Sequence, residues 1–115
     1  MTRELETATI SRGQSCVEKL AQLFLNVSAI HIPVRVVALG SSRRLQEQTV
    51  IEFGTAQEVL FPSVLPLEFE DRLRLVNSDG SLDAHAMVVA VRYHDCRKAV
   101  AARFVSEVDN WIIKP

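Results

Sequence analysis

The stretch Glu52-Phe53-Gly54-Thr55-Ala56-Gln57-Glu58 places two carboxylates, a hydroxyl and an amide around one of only four glycines in the 115-residue chain. It lies between the apolar runs TVI and VLF, so it reads either as a ligand-gripping loop or as a turn between two strands. Arg43-Arg44 is an adjacent basic pair that suits a solvated turn or a contact with an anion or a partner. Arg35 lies shortly upstream. His94-x-Cys96 is the closest His/Cys pair, with His31 and His85 far from it in sequence. A metal site needs three or four ligands, so this pair does not make one. Cys96 as a nucleophile would need a lowered pKa and a positioned base. No glycine-rich phosphate loop, Ser/His/Asp order or paired-carboxylate site stands out, so no enzyme is expected.

The elements that would position these residues are legible from period and punctuation. The first ten residues are polar and read as loose. Ser15-Cys16-Val17-Glu18 fits a capping box, with Ser11 and Gln14 as a rival start one turn earlier. Val17, Leu20, Ala21 and Phe24 then recur at helical spacing, and Asn26 suits the helix end. From Ile30 the period becomes two. Ile30, Ile32, Val34 and Val36 define a first strand to about Leu39, with Pro33 at an edge or an irregularity. Gly40 to Arg44 is a turn. Gln46 to Phe53 is a second strand, with Thr49, Ile51 and Phe53 on one face. Val59 to Phe61 begins a third, and Pro62 and Pro66 keep the next connection from being helical. Arg72 to Leu75 is a fourth strand, and Asn77-Ser78-Asp79-Gly80 is the strongest hairpin signal. Leu82 to Tyr93 and Lys98 to Val105 are the fifth and sixth strands. The fifth is apolar on both faces through AMVVAV, so a barrel interior takes one face and the helix or the Trp111 tail covers the other.

One helix followed by six short sequential strands predicts a mainly β fold, a small antiparallel barrel with an N-terminal helix. The expected division is an N-terminal segment and helix over 1–28 and a barrel over 29–115. A single domain suits the length. Hydrophobic residues make up 48% and charged residues 23%, which argues against a disordered chain. The formal net charge of -1 points away from nucleic-acid polymers and anionic membranes. The apolar runs are far shorter than a bilayer span, and the N-terminus carries no apolar core of a signal peptide. Two cysteines, Cys16 and Cys96, make no disulfide framework, so a cytoplasmic protein with free thiols is expected.

The layout resembles the PilZ domain, a six-stranded barrel that in many bacterial proteins binds cyclic di-GMP. The resemblance rests on Ile32-Pro33-Val34-Arg35-Val36, on the proline-led run from Pro66 to Leu75, on the strand pair AHAMVVAVRYHD and KAVAARFV, and on Asp109-Asn110-Trp111. It covers about residues 29 to 113. Ligand-binding members carry R-x-x-x-R before the first strand, whose guanidinium forks grip phosphate and guanine bidentately. Here those positions fall at Leu23 and Val27. Two missing contacts of about 1–3 kcal/mol each weaken binding about a hundredfold or more. The second family motif, D/N-x-S-x-x-G, falls on the Glu52–Glu58 stretch. One register begins at Glu52; the other begins at Phe53 and keeps a hydroxyl at Thr55. Neither keeps the final glycine.

The resemblance therefore implies a signalling module that works through a protein partner and does not bind cyclic di-GMP in the usual way. The alternative is a cyclic di-GMP receptor that uses substitute groups, drawn from Arg35, Arg43, Arg44, Glu52, Thr55 and Gln57. A small barrel for single-stranded nucleic acid is a third reading, disfavoured by charge and by few aromatics. No cofactor and no metal are expected.

Overall fold

The computed structural model describes residues 15–40, 45–95 and 97–114. Arg12, Ser11, Gln14, Arg43, Arg44 and Cys96 lie outside them, as do the first ten residues. The described chain forms a helix α1 (Cys16–Ala21) and strands β1 (Ser28–Ala38), β2 (Gln46–Gly54), β3 (Glu58–Pro62), β4 (Arg72–Asn77), β5 (Asp83–His94) and β6 (Arg97–Phe104). All neighbours are antiparallel, and the order β1-β2-β3-β6-β5-β4 closes on itself through the β1–β4 pair. Among the described residues no helix is long and apolar enough to cross a membrane.

Alternation fills the barrel. Val34 and Val36 of β1, Val59 and Phe61 of β3, Leu73 and Leu75 of β4, and Val100 and Ala102 of β6 point inward into one buried cluster. Both ends are stoppered. Leu65 and Leu67, on the connection after β3, close one end, and Trp111 closes the other, here called the mouth. The mouth is where β1 begins and β2 and β6 finish.

Two register shifts depart from strict alternation. In the β1–β2 ladder Ile32 pairs with Ile51 but Ala29 pairs with Phe53, so two residues of β1 face Glu52 alone. Pro33 sits just beyond this shift, where a missing amide is tolerated. Past it β2 changes sides. Ile51 stays in the interior, while Phe53 packs outside against the helix, so Thr49, Ile51 and Phe53 do not share one face. In β5 the ladder jumps from Val88 to Ala90. Val89 and Ala90 both turn outward as a result, which explains why this strand is apolar on two faces.

The outward apolar surface is covered by α1. Ser15 Oγ accepts from the Glu18 amide at 3.0 Å, and Glu18 Oε1 accepts from the Ser15 amide at 2.9 Å. The helix ends at Ala21, shorter than the apolar spacing suggests, and Asn26 at φ 58 turns the chain into β1. Cys16, Val17, Leu20 and Ala21 bury against Leu60, Ala99 and Ala101. The alanines leave room for the helix to approach the sheet.

Candidate functional site

The β2–β3 turn, Thr55 to Gln57, lies at the mouth and is tightly self-bonded. The Thr55 amide donates to the Glu58 carbonyl at 2.9 Å, which closes the turn. Thr55 Oγ1 accepts from the amides of Glu58 at 2.9 Å and Gln57 at 3.2 Å, and its hydroxyl donates to Glu58 Oε1. Glu58 Oε2 takes both Nε and Nη2 of Arg103, at 2.9 and 2.8 Å. The Thr55 carbonyl accepts from the Trp111 indole at 2.7 Å. Thr55 and Glu58 are buried, so these bonds replace water that burial removes. The amide, carbonyl and hydroxyl of Thr55 are all engaged.

Gly54 has a role different from the bend its type suggests. A β-carbon there would lie 2.9 Å from Trp111 Cζ2, 3.0 Å from Ile30 Cδ1 and 3.1 Å from Ile113 Cδ1. The glycine thus lets the tail lie directly on β2. Phe104 meets Trp111 edge to face, with ring centroids 5.2 Å apart and an interplanar angle of 74°. Beside the indole a cleft of about 520 Å³ opens between Gln57, Arg103, Glu107 and Lys114. A second cleft of about 620 Å³, near Arg74, Asp83 and His85, lies on the other side of the same tail segment.

The candidate residues from the sequence are spread out. Thr55 is buried within the turn, and Gln57 is exposed at the cleft. Glu52 is half-buried and lies within electrostatic reach of Glu18 and His31. Burial raises its carboxyl pKa from the ordinary value, the Glu18 charge raises it further, and His31 opposes them. Arg35 is exposed on β1, opposite Gln48 and Val76. Ser28 is paired with Gly54 at the mouth, so Arg35 lies seven residues along the strand, about 20 Å away. Arg43 and Arg44 lie outside the described residues. Leu23 is exposed and Val27 is half-buried.

Sequence reasoning missed Glu58 and Arg103 as a pair. Their separation of 45 residues hides the partnership, although a carboxylate opening an otherwise apolar strand was a signal. Arg74 and Asp83 form another pair, bonded at 2.8 and 2.7 Å across β4 and β5. That contact holds the Asp83 carboxyl below its ordinary value.

Comparison of the chain with models of known protein families, with curated proteins and with solved structures returned no match.

Proposed function

We propose that this chain is a PilZ-like barrel that acts as a non-catalytic interaction or regulatory module and does not grip cyclic di-GMP in the usual way. The observation that carries the reading is the state of the β2–β3 turn. Its buried polar groups bond to each other, to Arg103 and to Trp111. A nucleotide would have to break those bonds before making its own, and each buried group left unpaired costs about 1–3 kcal/mol. Leu23 and Val27 offer no guanidinium at the positions where the resemblance expects two.

The closed six-stranded order supports the barrel on which this reading depends. Exposed Leu23 and Leu25, on the turn after α1, are large apolar groups suited to a protein partner. The substitute-residue alternative is weakened by the distance between Arg35 and the mouth.

Calorimetric titration of the chain with cyclic di-GMP tests the proposal. No heat of binding in the micromolar range is expected. A micromolar or tighter isotherm overturns it, and its loss in the Arg43→Ala/Arg44→Ala double variant would establish the substitute-residue reading instead.

A further inference from the structure

The segment after β6, Val105 to Lys114, crosses the mouth and is anchored by Trp111, with Val108 and Ile113 packed beside it on the core. Trp111 is 4% exposed, whereas Ile112 next to it is 62% exposed. Two further ties are polar. The Val105 amide donates to the His85 carbonyl at 3.1 Å, and Asn110 Nδ2 donates to the Ser81 carbonyl at 3.0 Å. Both clefts border Val105 to Asp109. The receiving surface comes largely from the barrel: the bare backbone of Gly54, the Ile30 side chain, the Phe104 ring and the Thr55 carbonyl.

A socket formed by the barrel and a plug carried on a tether need not belong to the same copy. Six residues separate Phe104 from Trp111, a tether that spans about 20 Å when extended. Exchange between two copies re-forms the same contacts, so its cost is chiefly that of association. We propose that the mouth is an indole socket that the chain's own tail fills in cis and that the tail of a second copy fills in trans. The two copies would then join by exchanging residues 105–114. The inference is independent of whether the mouth also takes a nucleotide.

The test uses a fluorescent peptide of residues 105–114 and full-length protein, read by anisotropy. The peptide is expected to bind Trp111→Ala saturably. Binding to the unmodified chain should be about tenfold weaker or more, because the tethered tail competes at an effective concentration near the millimolar range. The Gly54→Ala/Trp111→Ala double variant should not bind, since the added methyl group fills the socket. If Trp111→Ala lacks the far-UV circular dichroism of the parent, Trp111→Phe replaces it in both variants, with the same order expected. Absence of binding to a folded single variant overturns the proposal, as does binding by the double variant as tight as by the single variant. Sedimentation should show a dimer that grows with concentration and dissolves in excess peptide. A chain that stays monomeric to millimolar concentration overturns the exchange.

Discussion

A single methyl group distinguishes the mouth as it stands from one that its tail cannot enter. Gly54→Ala places a carbon within 2.9 Å of Trp111, and neither the indole nor β2 can yield without losing contacts. A loss of about 1–3 kcal/mol is expected, measured by urea unfolding, with Trp111 emission shifted to the red. Glu52 makes a second prediction at this scale. Its folded-state pKa is raised, so the folded chain holds that proton more tightly than the unfolded chain does. Stability from this group is therefore fully present below its unfolded pKa and lost as pH rises from there through the raised folded-state value. Glu52→Gln should raise the melting temperature at pH 7, and the gain should vanish below about pH 4, followed by thermal unfolding across pH. Neither role was legible in the sequence. Gly54 reads as a bend because its real neighbour lies 57 residues away, counting from Gly54 to Trp111. Glu52 reads as a ligand residue because its partners Glu18 and His31 belong to other elements.

At the level of elements, strands were easier to read than faces. The β4 pattern Arg72-Leu73-Arg74-Leu75 puts both leucines in the core, as period two requires. The same logic fails in β2, where the shift opposite Glu52 sends Phe53 outward, and in β5, where Val89 is inserted. A bulge depends on what the neighbouring strand does, and the strand's own residues do not announce it. The helix shows a related effect. Its capping box was plain, yet regular structure stops at Ala21, although Phe24 and Val27 beyond it still pack against the same layer as Leu60, Ala99 and Ala101. Leu20, 1% exposed, is the largest side chain that the helix buries in this layer. Leu20→Ala should cost about 2–5 kcal/mol in chemical unfolding. A value near zero would mean that the helix contributes no cover to the barrel.

For the whole molecule, closure matters more than any one contact. Six strands share their ladders around a ring, and apolar stoppers fill both ends, so the interior has no open side. Phe61 is fully buried and is the largest of the fully buried side chains in that filling. Phe61→Ala should cost about 3–5 kcal/mol, a large share of what a domain of this size holds. The urea midpoint should fall while the slope of the transition is kept, since the same surface is exposed on unfolding. The ring also constrains how the chain reaches its final shape. The hairpins β1–β2 and β5–β6 can form from neighbouring residues. The seams β1–β4 and β3–β6 join Val34 to Asn77 and Glu58 to Arg103, positions 43 and 45 residues apart. Non-local seams of this kind set the folding time at roughly milliseconds to seconds. Until the last one zips, a growing sheet exposes two raw edges to any other chain nearby. The closed ring that leaves the described strands without a free edge is thus the source of the chain's most hazardous moment, and dilution during refolding is its natural safeguard.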